Sequence, residues 1–108
     1  MKKDDILSKI HEVWDVESIQ QKVSNDEALA QLAEEASELI HSSLKLRRTM
    51  SDNNPTPVSY EVALSNLVEE VADVEACFDV LFDRTLRKEI QKIKQMKLKR
   101  WVERISKI

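Results

Sequence analysis

The chain has 108 residues, of which 34% are charged and 5% are aromatic, with two Pro, one Cys and no Gly. The absence of Gly excludes the Gly-rich phosphate loops of P-loop and Rossmann sites, and a single Cys excludes an internal disulfide and a Cys-based zinc site. The length fits a single domain over 1–108, at the small end for burying a core, which favours help from a partner subunit.

The net charge of −3 is unevenly distributed along the chain. Residues 86–108 contain nine Lys or Arg and two Glu, a net charge of +7, so the first 85 residues carry −10. A basic segment beside an acidic body indicates a shared anionic ligand, an ion-pairing surface or nucleic acid. No apolar run has the length of a signal peptide or a membrane span, so a cytoplasmic protein without membrane contact is expected.

Apolar residues recur at helical spacing along almost the whole chain. The predicted helices run from Ile6 to about Val23, from the capping residues 24–26 to about Arg48, from about Ser59 to Asp83, and from about Leu86 to the end. Polar residues and both Pro predict a loop over Ser51–Pro57. The prediction is therefore an all-α fold resembling a four-helix bundle, with the second and third helices antiparallel across this loop.

Two pairs of acids stand one helical turn apart, Glu35-x-x-Glu38 on the second helix and Glu70-x-x-Asp73 on the third. At 100° per residue, both pairs fall roughly 90–160° to the same side of the apolar stripe of their helix. The twofold relation between antiparallel helices brings these flanks together, so all four carboxylates can converge. Carboxylates are preferred ligands of Mg²⁺, and converging acids repel strongly without a cation.

The spacing alone is not evidence for such a site. Twenty acids in this chain predict about 3.6 pairs of this spacing by chance, and three occur, including Glu12-x-x-Asp15 on the first helix. The shared flank of the other two pairs, and their nearness to apolar neighbours such as Leu39 and Val74, support a metal site, and solvated acids are the alternative.

Three blocks together resemble the MazG-like nucleoside triphosphate pyrophosphohydrolases. They are Leu32–Ile40 (LAEEASELI), Asn66–Val74 (NLVEEVADV) and Lys94–Trp101 (KQMKLKRW), and the spacer between the acidic motifs is 31 residues, Leu39 to Glu69. The resemblance implies a MazG-type fold in an intertwined homodimer or homotetramer. It also implies Mg²⁺-dependent (or Mn²⁺-dependent) cleavage of a nucleoside triphosphate between the α and β phosphates, giving monophosphate and pyrophosphate.

The resemblance also implies roles for individual acids. The metal ligands would be Glu35, Glu38, Glu70 and Asp73. Glu38 is our choice for the base that holds the attacking water. Glu34 and Glu69 would either support the ligands without touching the metal or face solvent. Many relatives carry a Gln where this chain has Glu27, so the nucleobase contacts stay unassigned.

The fourth helix carries a lysine, Lys97, in the middle of its apolar stripe, one turn from both Ile93 and Trp101. A lysine there must extend to solvent or meet an anion. One interpretation is that Lys97 and Arg100, with Lys94 or Arg104, hold the triphosphate. The other interpretation is that the Lys97 side chain extends to solvent or forms an ion pair between subunits.

Two other functional classes fit parts of the pattern. A helical adaptor or nucleotide sensor would keep the bundle without turnover. A nucleic-acid binder would use the basic helix, but the acidic body and the lack of a recognisable reading motif argue against it.

Overall fold

A computed structural model describes residues 2–51 and 57–108. Within these ranges the secondary structure is helical and contains no strand, which confirms the all-α prediction. The helices are α1 (Lys3–Lys22), α2 (Asn25–Thr49), α3 (Tyr60–Leu81) and α4 (Arg84–Ile105). The loop predicted over Ser51–Pro57 lies largely outside the described residues.

Short polar side chains fix where three of the helices begin. Ser24 and Glu27 form a capping box at the start of α2: the Glu27 N–H donates to Ser24 Oγ at 3.1 Å, and the Ser24 N–H donates to Glu27 Oε1 at 3.3 Å. Ser59 caps α3, and Asp83 caps α4 by accepting from the Leu86 N–H at 2.9 Å. These caps satisfy N–H groups that have no partner within the helix. Because Asp83 is a cap, α4 begins two residues earlier than predicted.

The α2 and α3 helices form an antiparallel pair, as predicted. Ala28 near the start of α2 lies beside Cys77 and Val80 near the end of α3, whereas Lys45 near the end of α2 lies beside Ala63 near the start of α3. The buried residues in the part of the chain that the structure describes are small, which allows the two helices to approach closely. They are Ala28, Ala63, Val74 and Cys77.

The α1 helix packs by its last turns against the carboxyl-terminal part of α3. Gln20 Nε2 donates to the Val80 carbonyl at 2.9 Å, and Ile19 and Val23 share a cavity wall with Val80. Residues 3–12, the first half of α1, are exposed. Trp14, which at helical spacing would more often lie in a core, is 58% exposed and makes an edge-to-face contact with His11 at 5.5 Å between ring centroids.

The α4 helix leaves the other three at a tight corner. Only Phe82 and Asp83 separate it from α3, and Arg87 forms an ion pair with Asp79 across this corner. Beyond its first turn, α4 packs on none of the other helices in the part of the chain that the structure describes. Within one chain, the packed unit therefore consists of α1, α2 and α3. No helix among the described residues is both long and apolar enough to cross a membrane.

Candidate metal centre

Three of the predicted ligands converge between α2 and α3. Glu35 from α2 and Glu70 and Asp73 from α3 each place one carboxylate oxygen so that the three oxygens lie within 4.8 Å of one another. Glu35 and Glu70 are half-buried and Asp73 is exposed. Ligands on opposite sides of a Mg²⁺ ion stand about 4.2 Å apart, because each Mg–O bond is about 2.1 Å. Small side-chain rotations would therefore bring these oxygens to one ion.

One of the three carboxylates is held by a neighbour on its own helix. Gln31 Nε2 donates to Glu35 Oε1 at 2.8 Å. The residues are four apart, so they face each other across one turn of α2. This bond orients Glu35 and leaves its second oxygen free for another partner.

The pKa of Glu70 is raised above its ordinary value. Burial contributes most, and the negative charges of Asp73, Glu38, Glu35 and Glu69 add to it in that order. Over residues 2–51 and 57–108, the one salt bridge joins Arg87 to Asp79, so no Lys or Arg forms a salt bridge with these acids. The electrostatic strain is therefore of a kind that a bound cation relieves.

Replacing Glu70 by Gln is expected to stabilise the metal-free protein at neutral pH. A carboxyl whose pKa is raised by folding binds its proton more tightly in the folded state, so its contribution to the unfolding free energy falls as the pH rises through that pKa. We would measure the free energy of unfolding in urea from pH 3.5 to 7.5 with chelator. Glu70→Gln should have a higher unfolding free energy than wild type, with a difference that is largest at neutral pH and disappears in acid. A difference that does not change with pH would show that the raised pKa of Glu70 is not its cause.

The fourth predicted ligand, Glu38, does not belong to the group of three converging oxygens. It is close enough for its charge to raise the pKa of Glu70. It lines a polar cavity of about 200 Å³. The walls of this cavity are Glu38, His41, Ser42, Lys45, Val58, Ala63, Asn66, Glu69 and Glu70. Glu69 thus lies in the site, whereas Glu34 is exposed and lines neither this cavity nor the next one.

A larger cavity of about 420 Å³ lies on the other side of the acids. Its walls are mostly apolar and come from α1, α2 and α3: Ile19, Val23, Glu27, Ala28, Gln31, Glu35, Asp73, Ala76, Cys77 and Val80. Glu35 and Asp73 thus belong both to the acidic cluster and to this cavity. Cys77 is buried, and this burial, followed by the charges of Glu35 and Asp73, raises the pKa of its thiol.

The predicted phosphate-binding residues stand elsewhere in the single chain. Lys94, Lys97, Arg100 and Arg104 line a shallow groove whose walls are all α4 residues. Since α4 does not pack on α2 or α3 within the described residues, these cations are not brought to the acids of their own chain. Their role in phosphate binding stays a prediction.

Two features of the site were not identified from the sequence. Lys45 shares the polar cavity with Glu38, and Gln31 orients Glu35. Both relations follow a helical spacing that the sequence displays, since Lys45 is seven residues after Glu38 and Gln31 is four before Glu35. The apolar cavity has no such local signal, because its walls come from three helices.

Comparisons with protein-family models, with curated proteins and with solved structures give no match. The resemblance to MazG-like enzymes therefore rests on the acidic and basic blocks quoted above. The geometry of Glu35, Glu70 and Asp73 and of the two cavities beside them supplies an independent argument about function.

Proposed function

We propose that this protein is a Mg²⁺-dependent hydrolase that cleaves a nucleoside triphosphate between the α and β phosphates, giving the monophosphate and pyrophosphate. The observation that carries the proposal is the convergence of three carboxylates between an apolar cavity and a polar cavity that contains a lysine. The resemblance of the two acidic blocks, Leu32–Ile40 and Asn66–Val74, to those of MazG-like enzymes supports the same reaction.

The donor set suits Mg²⁺, and Mn²⁺ accepts the same ligands. Glu35, Glu70 and Asp73 are hard oxygen donors, and the structure places neither the thiol of Cys77 nor a His among the three converging groups. Mg²⁺ is usually held by few protein carboxylates and keeps positions for water and substrate phosphates. The bound metal would stabilise negative charge on the phosphate oxygens and orient the attacking water.

Glu38 is suited to accept a proton. It lies beside the three converging carboxylates without being one of them, so its oxygens are left for water. Attack of that water on the α-phosphorus breaks the bond to the bridging oxygen, and pyrophosphate leaves with the electron pair. Glu38 takes the proton from the water, so the chain needs no nucleophilic side chain.

The two cavities suggest how the substrate lies across the acids. The apolar cavity, within the volume range of small-molecule sites, suits the base and sugar. The polar cavity on the other side suits the β and γ phosphates, where the ammonium of Lys45 provides the positive charge. In this arrangement the α phosphate lies at the converging carboxylates.

The proposal includes a MazG-type arrangement of the helices, a homodimer or homotetramer as the functional unit, and a cytoplasmic location. The sequence resemblance supports these points. The assembly has additional support from the apolar stripe of α4, where Ile90, Ile93 and Trp101 are exposed.

The deciding experiment measures pyrophosphate and orthophosphate released from a panel of standard and modified nucleoside triphosphates. We expect pyrophosphate without orthophosphate, in the presence of Mg²⁺ or Mn²⁺ and not with chelator. Ranking the substrates in the same assay identifies the preferred base and sugar.

Release of orthophosphate alone would contradict cleavage between the α and β phosphates. No release from protein that circular dichroism shows to be helical would favour the non-catalytic adaptor or nucleotide sensor. Calorimetric titration with a non-hydrolysable triphosphate then separates these two, because only the sensor binds it.

A further inference from the structure

The polar side chains in the walls of the apolar cavity are mainly hydrogen-bond acceptors. Apart from the thiol of Cys77, they are Glu27, Gln31, Glu35 and Asp73. Three of these are carboxylates, which accept hydrogen bonds and donate none, and a thiol is a weak donor. Among the described residues, no Lys, Arg, His or hydroxyl side chain lines this cavity. A polar ligand in the cavity therefore has to supply the donors itself.

The start of α2 holds the Glu27 side chain in place. Glu27 Oε1 accepts from the Ser24 backbone N–H at 3.3 Å and from Ser24 Oγ at 2.9 Å. In the part of the chain that the structure describes, the other oxygen, Oε2, accepts no hydrogen bond and pairs with no cation. Glu27 is exposed, so Oε2 is an oriented acceptor that a ligand can reach.

Gln31 provides a second acceptor one helical turn further along α2. Its Nε2 donates to Glu35 Oε1 at 2.8 Å. An amide carries its oxygen and its nitrogen on opposite sides, so Gln31 Oε1 points away from Glu35. Since Gln31 is four residues after Glu27, the two side chains are neighbours on one face of α2. This face therefore presents two adjacent acceptors, Glu27 Oε2 and Gln31 Oε1.

The distance from the acidic cluster places these acceptors where a base would lie. At 1.5 Å per residue, Gln31 and Glu27 stand about 6 Å and about 12 Å from Glu35 along the axis of α2. In the proposed function the α phosphate lies at the converging carboxylates, and the sugar separates it from the base. The polar edge of the base would then meet Gln31 and Glu27, while Val23 and Ala28 contact its ring.

The pattern of donors distinguishes the bases. Guanine has two adjacent donors on one edge, the N1–H and the 2-amino group. Adenine and cytosine have one amino donor beside a ring nitrogen that accepts. Uracil and thymine have one N–H between two carbonyl oxygens, which would face acceptors and find no donor. Because a polar group left unpaired in a binding site costs much of the affinity, guanine fits this edge best.

We infer that the apolar cavity binds guanine, with Glu27 Oε2 and Gln31 Oε1 accepting hydrogen bonds from its N1–H and 2-amino groups. The inference rests on the proposed function, because it takes the cavity as the site of the base. It names the preferred substrate class as guanine nucleoside triphosphates.

Calorimetric titration with guanosine, inosine and uridine monophosphates tests the inference without turnover. Each is used in the ribo and the 2′-deoxy form, with Mg²⁺ present. Inosine monophosphate lacks only the 2-amino group of guanine. We expect the guanine nucleotide to bind about 10–100-fold more tightly than the other two, the range of one hydrogen bond to a charged group.

Glu27→Gln changes one atom of the site and preserves the fold. Gln at this position still forms a capping box with Ser24, so the start of α2 is kept. With Oε1 held by Ser24, the free oxygen becomes an amide nitrogen, and an acceptor becomes a donor. We expect the guanine nucleotide to lose about 10–100-fold in affinity and the uracil nucleotide to lose none. Asp26→Asn is the matched control, since Asp26 lies in the same turn outside the cavity and its variant should bind like wild type.

Several results would overturn the inference. They are uridine monophosphate binding as tightly as guanosine monophosphate, no binding of any of the three, or an equal loss for all three in a Glu27→Gln variant whose helicity is unchanged. The pyrophosphate assay separates this failure from that of the proposed function. Metal-dependent release of pyrophosphate with no preference for guanine would overturn the base assignment alone, whereas guanine-selective binding without turnover would overturn the reaction alone.

Discussion

Replacement of Asp73 by Asn is expected to reduce pyrophosphate release by about 10³-fold or more, with the helical content unchanged. Asp73 contributes one of the three converging oxygens, and Asn keeps its size while removing the charge that holds the cation. Loss of metal-based charge stabilisation costs several kcal/mol in the transition state, and each 1.36 kcal/mol is a factor of ten in rate. The measurement is kcat at saturating Mg²⁺ by a coupled pyrophosphate assay.

The chain contains a matched control for this variant. Asp15 stands in an acidic pair of identical spacing, Glu12-x-x-Asp15, on exposed α1 and outside the acidic cluster. Asp15→Asn should keep wild-type kcat. If Asp73→Asn and Asp15→Asn had equal rates, the converging carboxylates would not be the reaction centre. Thermal unfolding with and without Mg²⁺ adds a second measurement, since only the Asp73 variant should lose the stabilisation by metal.

Replacement of Lys45 by Met is expected to lower kcat/KM by about 10–100-fold. Lys45 is the one Lys or Arg in the walls of the two cavities beside the acids, as far as the described residues show. A hydrogen bond to a charged group contributes roughly 1.5–3 kcal/mol, which corresponds to this range. Met preserves the length and the apolar stem of the side chain, so the change removes mainly the positive charge.

The competing site for the phosphates is on α4. A double variant with Lys97→Met and Arg100→Met tests it in the same assay, with the mass of the protein measured in parallel. If Lys45→Met leaves kcat/KM unchanged and the α4 variant lowers it without changing the mass, the cations of α4 hold the phosphates. A loss of kcat/KM that appears only together with loss of the dimer assigns α4 to assembly.

Local features of the sequence were sufficient to predict the helices and most of the acids of the candidate metal centre. Helix periodicity, the Ser24 and Ser59 caps and the polar segment before α3 depend on residues within one or two turns of each other. The convergence of Glu35 with Glu70 and Asp73 could also be predicted from the sequence. When two amphipathic helices pack antiparallel through their apolar stripes, flanks of the same rotational sense lie on the same side of the pair. Glu38 shows the limit of this reasoning. Helical periodicity places Glu35 and Glu38 on the same flank of α2, so it could not predict that only Glu35 belongs to the three converging carboxylates.

The cavities and the position of α4 could not be predicted in this way. A cavity lined by Ile19, Ala28 and Val80 depends on how three helices meet, which no local pattern specifies. The stripe of α4 was correctly identified as amphipathic, but a pattern does not say which surface covers it. In one chain α4 packs on no other helix beyond the corner at Phe82 and Asp83, among the residues that the structure describes.

Local patterns in the sequence were therefore enough to predict an all-α chain, the boundaries of its helices to within a few residues, and an acidic flank on α2 and α3. These properties follow from backbone hydrogen bonding and from apolar spacing, which act over a few residues. The packing of the helices was needed to show which carboxylate oxygens converge and that Lys45 rather than Lys97 lies near them in one chain. It was also needed to show that, among the described residues, α4 packs on no other helix beyond its first turn. These properties depend on contacts between residues far apart in the chain, where packing geometry and not local preference selects the neighbours.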